Sequence, residues 1–250
     1  MNRKLLTREE FEALRRESAA AMAQDAALQR KAADLIVEAD RYYWIHQTTW
    51  LGAPVLQLPQ DMFAVQEIVF RSRPRFIVET GVAWGGSLLF HATLLSALGG
   101  ERVIGIDIHT PEHVHRTLRS FGPLSDRIAV VEGSSTDQAV FDRVRAMIGD
   151  CRDVLVILDS FHTHEHVLQE LRLYSSLVGE GHYLVCCDTH VEYIPEIVSN
   201  RPRPWGKGNN PKTALDAFLN ENDRFEIDRD IERKLLLTLH PGGYLRCRTR

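Results

Sequence analysis

Residues 158 to 171 read LDSFHTHEHVLQEL, bringing the Asp159 carboxylate and the imidazoles of His162, His164 and His166 close together in the chain. Such a set suits a metal, a catalytic base beside one, or the polar start of a helix. Apolar Val167, Leu171, Tyr174 and Val178 recur at helical spacing, which predicts a helix from about residue 164 with Thr163 as its cap. Residues two apart on a helix do not share a face, so His164 and His166 diverge and read as structural or surface side chains. His162 stays in the preceding loop, three residues from Asp159 and facing a pocket. It is either a general base or a loop imidazole holding a backbone carbonyl.

A second acid, Asp188, closes the apolar run HYLVCCD. If Asp159 and Asp188 end adjacent strands, about 4.8 Å apart, their carboxylates converge on one cation. Hard oxygen donors suit Mg2+, Mn2+ or Ca2+. A hydroxyl that acts as a nucleophile must lose its proton near the transfer it makes. A metal lowers the pKa of the bound hydroxyl, and a neutral imidazole accepts the proton. Asp159 as ligand and His162 as base supply both functions.

The second group of residues lies in VETGVAWGGSLLF, residues 78 to 90. Gly81 permits a tight turn, and Gly85 and Gly86 let the amides of a helix start approach a ligand. The spacing is not GxGxxG, and Glu79 would repel a pyrophosphate, so a dinucleotide is disfavoured. S-adenosylmethionine fits better: Glu79 meets its ammonium, and the helix amides, with Val82 and Ser87 nearby, meet its carboxylate. Asp107, 26 residues after Gly81, is placed to accept the ribose hydroxyls, as the acid about 20 residues on does in dinucleotide folds. Ser134 and Ser135 fall near the adenine.

The elements that must hold these residues are short apolar runs at 75–81, 102–108, 128–134, 154–160 and 182–188, alternating with amphipathic helices. That alternation predicts a parallel sheet covered on both faces. KLLLTLH and GYLRCR, joined by Pro241, Gly242 and Gly243, are expected to close it as an antiparallel pair. The expected fold is α/β: a Rossmann-like, class I methyltransferase, doubly wound, mostly parallel seven-stranded sheet with a C-terminal antiparallel hairpin. Ligands of such sheets bind beyond the carboxyl ends of the strands, where all the residues named above fall. Thr7 and Glu10 form a capping box that opens an N-terminal helical appendage. The expected division is a helical segment over 1–55 and the methyltransferase domain over 56–250. The stretch RYYWIHQTTWLGAPVLQLP between them suits a pocket cover, a subunit interface in a homo-oligomer, or core packing.

At 44% hydrophobic and 26% charged residues, the chain has the composition of a soluble globular protein rather than a disordered one. A net charge of −4 gives no electrostatic case for nucleic acid or an acidic membrane. No apolar run approaches the roughly 18 to 20 residues of a membrane span. The four Cys lack CxxC spacing, and Cys186 and Cys187 on one strand point to opposite faces, which predicts a reduced, cytoplasmic setting.

Taken together, VETGVAWGGSLLF, GIDI, EGSSTD, LDSFHTHEHVLQEL, YLVCCDT and RPWGKGNNPKTALDAFL resemble the cephalosporin hydroxylase family over residues 40 to 248. That family is similar to the metal-dependent sugar O-methyltransferases of rhamnosyl and macrolide pathways. The resemblance implies S-adenosylmethionine and a divalent cation, usually Mg2+, and a hydroxylated small molecule as acceptor. Metal positions fall on Asp159 and Asp188, and the base on His162. Members usually carry an acid just before the second metal Asp, where this chain has Cys187. A water then replaces that ligand, the thiol alters metal preference, or the site binds metal weakly. The loop before a helix capped by Asn210, with Pro211 first in it, can fold over the pocket and offer Trp205 to a sugar ring. Two other readings stay open: a non-haem iron oxygenase using His190, Glu192 and His240, and a non-catalytic protein that retains the cofactor pocket.

Overall fold

The computed structural model describes residues 5–194 and 203–248. Two helices, α1 (Arg8–Gln24) and α2 (Ala26–Asp40), open the chain. The capping box forms as expected: Thr7 Oγ1 accepts from Glu10 N–H and Glu10 Oε2 from Thr7 N–H. The appendage divides at Asp25, whose carboxylate accepts from the N–H groups of Ala27 and Leu28 and so starts a new helix. After a short 3-10 turn at Trp44–His46, the last residues of the 1–55 segment are not helical. They form a hairpin of β1 (Thr48–Trp50) and β2 (Ala53–Val55).

The hairpin leads into α3 (Pro59–Ser72), and the alternating units follow: β3 (Phe76–Thr80), α4 (Gly86–Leu98), β4 (Arg102–Asp107), α5 (Glu112–Arg119), β5 (Ile128–Glu132), α6 (Gln138–Ile148), β6 (Val154–Leu158), α7 (His164–Tyr174) and β7 (Tyr183–Cys186). α8 (Pro211–Glu221), β8 (Phe225–Ile227), the single turn α9 (Arg229–Glu232) and β9 (Tyr244–Cys247) complete the fold. The seven-stranded sheet has the order β5-β4-β3-β6-β7-β9-β8, and β9 runs antiparallel to both its neighbours. Order reverses between β3 and β6, so a crevice opens at their carboxyl ends. β3 and β6 are buried along their whole length, as strands covered on both faces must be. Side chains alternate between two apolar layers: Val78, Ile104 and Val156 pack with α6, α7 and α8, while Ile77, Val103 and Leu155 pack with α3 and α4.

The closing hairpin exists, but its first strand is β8 and not KLLLTLH. Residues 234–240 form no strand because their hydrogen bonds go elsewhere. Fully buried Asp61 of α3 accepts from Thr238 Oγ1 at 2.5 Å, Leu239 N–H at 2.8 Å and Tyr244 OH at 2.7 Å. Leu237 and Leu239 are apolar because they pack with Ile36, Trp44, Ile45 and Leu58. That cluster seats the N-terminal segment on the domain. α1 buries no side chain among the described residues. No described helix is long and apolar enough to cross a membrane.

Candidate active site

A cavity of about 690 Å³ lies over the carboxyl ends of β3, β4, β6 and β7. Glu79, Gly81, Val82, Ser87, Asp107, Ser134, Ser135, Asp159, His162 and Asp188 all line it, so ten of the residues singled out from sequence converge. Gly85 and Cys187 do not. Gly85 faces Val114 and Leu118 instead. Ile36, Ile45 and Pro54 of the N-terminal segment, with Gln57 just after it, supply one wall, while Trp44 and Trp50 pack against the core, so the aromatic stretch both lines the pocket and packs on the domain.

The glycines of the first turn serve the protein's own backbone. Gly81 has φ +89, and a Cβ there would meet the Asp159 carbonyl oxygen at 2.0 Å. A Cβ on Gly86 would meet the Pro54 carbonyl oxygen at 2.2 Å. The turn is therefore clamped between β6 and the β1–β2 hairpin. No side chain caps α4, so the N–H groups of its first turn have no partner within the helix and remain open to a carboxylate. Glu79 is buried, 3.4 Å from His91 Nε2, and its Oε2 makes no hydrogen bond. That oxygen lies against His91, and the Glu79 side chain also lines the cavity, where a carboxylate fits a cationic ammonium. Asp107 accepts from Val82 N–H at 2.8 Å, Ala83 N–H at 3.3 Å and His109 N–H at 3.3 Å. With about four lone-pair directions, it keeps capacity for a ribose hydroxyl.

At the other end, single donor atoms of Asp159, His162 and Asp188 lie within 4.8 Å of one another. Asp159 ends β6, and its N–H donates to Thr80. Gln57 Nε2 donates to its Oδ2 at 3.0 Å. Burial, and then the neighbouring Asp188 charge, push the Asp159 carboxyl up to about 6. Asp188 follows β7 with φ +54, a left-handed conformation that Asp tolerates better than most residues. Its N–H donates to His240 Nδ1 at 3.0 Å. Burial works against the Asp188 charge, yet His162, His190, His240 and Arg203 outweigh it and hold the carboxyl below its usual range. His162 Nε2 lies 3.4 Å from Asp188 Oδ2. Two repelling, part-buried carboxylates with an imidazole beside them form a donor set that a hard divalent cation satisfies.

Cys187 is not part of that set. Its side chain points to the opposite face of the sheet, into the apolar layer with Tyr183 and Tyr244, and burial raises the thiol well above its usual value. The period-two alternation of a strand dictates this, so the adjacent position cannot offer its sulfur to the metal group. The iron triad does not assemble either. Glu192 accepts from Gly208 N–H and Asn210 Nδ2, His190 Nδ1 meets the Leu239 carbonyl, and His240 accepts from Asp188.

The helix α7 begins at His164, and Thr163 occupies the cap position without a side-chain cap bond. Asn209 Oδ1 accepts the His164 N–H instead, at 2.9 Å, and His164 Nδ1 lies 2.9 Å from Thr213 Oγ1. His164 is thus structural. His166, read as diverging, lines the cavity. The signal for it was Glu170, one helical turn on. Gln57 left no such signal, because its partner is 102 residues away. Trp205 stands edge-on to His162 and Phe161, with ring centroids 5.0 and 5.3 Å apart. Asn210 caps α8 with Pro211 at its first turn, as expected. Residues 199–202 of the loop read as a cover lie outside the described residues.

The family model for rhamnosyl O-methyltransferase/CmcI matches residues 42–248. The rhamnosyl O-methyltransferase of Mycobacterium leprae is 31% identical over 207 residues, covering 82% of this chain and 84% of that protein. Among solved structures, an apo form of CmcI aligns with a TM-score of 0.57 at 23% identity, over 82% of this chain and 78% of that one. CmcI with Mg and SAM aligns with a TM-score of 0.56 at 22% identity, over 81% and 77%. At such identities the two structures speak for the fold.

Proposed function

Because the chain belongs to the rhamnosyl O-methyltransferase/CmcI family, we propose that it transfers a methyl group from S-adenosylmethionine to a hydroxyl of a sugar or secondary metabolite, with a divalent cation held by Asp159 and Asp188. The observation that carries this reading is the convergence of Asp159, His162 and Asp188 at one end of the cavity that Glu79 and Asp107 also line. Mg2+ or Mn2+, when bound, lowers the pKa of a coordinated hydroxyl.

His162 accepts the acceptor's proton at Nε2, which the Asp188 carboxylate 3.4 Å away orients. Gln57 holds Asp159 Oδ2 and so fixes the orientation of that ligand. Glu79 meets the ammonium of the methyl donor, the first turn of α4 its carboxylate, and Asp107 its ribose. Trp205, edge-on to His162, offers flat apolar surface to a sugar ring. Residues 1–55 serve as the wall of the site and 56–250 as its chemistry. The four cysteines, spaced without a CxxC pair, support a reducing, cytoplasmic setting, and exposed Phe11 and Leu14 of α1 support a homo-oligomer.

The grouping of His162 with both carboxylates also favours a second role for it, as a third metal ligand. The His162→Gln variant separates the two: a lost base alters the pH–rate profile with Mn2+ affinity intact, whereas a lost ligand weakens Mn2+ binding. The function itself is tested by labelled methyl transfer from S-adenosylmethionine to rhamnosides, with Mg2+ and with EDTA. Calorimetry that finds no S-adenosylmethionine binding, with or without Mg2+, would overturn it.

A further inference from the structure

Away from the metal group, the cavity holds a second set of polar side chains that the proposed reaction does not use. Ser135, after β5, and Ser160, after β6, each place Oγ 3.1 Å from His166 Nε2. Ser160 Oγ also donates to Glu170 Oε1 at 2.7 Å, and that oxygen lies 3.4 Å from the same Nε2. Glu170 is fully buried, and its Oε2 has no hydrogen-bond partner.

Counting hydrogens assigns the tautomer of His166. A carboxylate only accepts, so the single hydrogen of Ser160 goes to Glu170. Toward His166 the Ser160 oxygen is then an acceptor, as is the Glu170 carboxylate 3.4 Å from Nε2; the Ser135 hydroxyl can act either way, so two acceptors place the ring proton on Nε2. A neutral imidazole protonated at Nε2 presents Nδ1 as an acceptor. Among the described residues, Nδ1 makes no hydrogen bond and is not a buried orphan. It remains open to a molecule in the cavity that His166 lines.

Strand order says which part of that molecule it meets. Glu79 belongs to β3, Asp107 to β4 and Ser135 to the end of β5, and these strands are successive neighbours. A methyl donor with its amino acid at β3 and its ribose at β4 therefore extends its base toward β5, where Ile108, Ser135, Phe161 and His166 line the cavity.

We propose that His166 reads the base of the methyl donor, accepting at Nδ1 a hydrogen from the exocyclic amine of a 6-aminopurine. A 6-oxopurine sets acceptor against acceptor and is rejected. This rests on the S-adenosylmethionine reading above. The test is calorimetry of the full chain with S-adenosylhomocysteine and with S-inosylhomocysteine. The wild type binds the adenosyl compound at least about tenfold more tightly, the scale of one hydrogen bond gained against one acceptor clash. His166→Phe keeps a ring and brings the two affinities to within about twofold. Ser160→Ala keeps His166, frees its tautomer and reduces the preference, and it decides the matter if His166→Phe fails to fold. A wild type without preference, or variants that keep the wild-type ratio while binding S-adenosylhomocysteine, overturn the role of His166 alone. A wild type that binds neither compound overturns the cofactor reading with it.

Discussion

At the β4–β5 end of the cavity, the Asp107 carboxylate accepts three backbone N–H groups from nearby turns. At the β6–β7 end, Asp159 accepts one side-chain amide, and Asp188 faces it with imidazoles and Arg203 alongside. The first end is preorganised by local bonds that already balance its charge. The second keeps an electrostatic conflict in a part-buried place, and such a conflict is resolved by a cation. The two ends should therefore fail separately when altered.

The largest separation is expected from Asp159→Asn. Methyl transfer should fall by about a thousandfold, since a bound cation supplies several kcal/mol, while calorimetry should find S-adenosylhomocysteine affinity unchanged. Asp107→Ala should do the converse, weakening S-adenosylhomocysteine by about a hundredfold, the scale of hydrogen bonds to a charged group, and leaving Mn2+ binding intact. Parallel loss of both ligands in either variant would show that the ends are not independent.

The pH dependence sharpens the contrast. Burial raises the Asp159 carboxyl to about 6, so it is protonated below that pH and must ionise to ligate. Mn2+ affinity should rise with pH to about 6 and fall about tenfold per unit below it. Without metal, the folded state binds the extra proton between the ordinary carboxylate range and about 6, so stability should decline as pH rises through that window. Added Mn2+ should reverse the decline in thermal melts. Smaller is the effect of Gln57→Leu, which removes only the orientation of Asp159. Mn2+ affinity should drop by about tenfold, the lower range for a group behind a ligand, with S-adenosylhomocysteine unaffected. Smallest is Cys187→Ala: a loss of about 1 kcal/mol of stability in denaturant titration, and no change in Mn2+ affinity.

The same contrast explains what the sequence made legible. Glu79, Gly81, Asp107, Ser134 and Asp159 end apolar runs, and a parallel sheet delivers strand ends to one crevice, so strand order alone placed them. Gln57, His240 and Asp61 act through partners far along the chain, and no spacing reports such pairs. KLLLTLH shows a related failure. Its apolar residues look like a strand, yet Asp61 captures its donors, and three-residue β8 takes the edge of the sheet. The reading in which the Cys187 thiol joins the metal site fails for a different reason, since adjacency in sequence on a strand means opposition in space. His166 was legible only in part, because the helical turn that relates it to Glu170 says nothing of Ser135 and Ser160.

The two ends nonetheless touch where the α-carbon of Gly81 leaves room for the Asp159 carbonyl. That contact acts as a gauge block between the donor pocket and the cation: it sets their separation by hard atomic radii, which neither salt nor pH can alter. A single methyl group added there would push apart two ligands that it never touches.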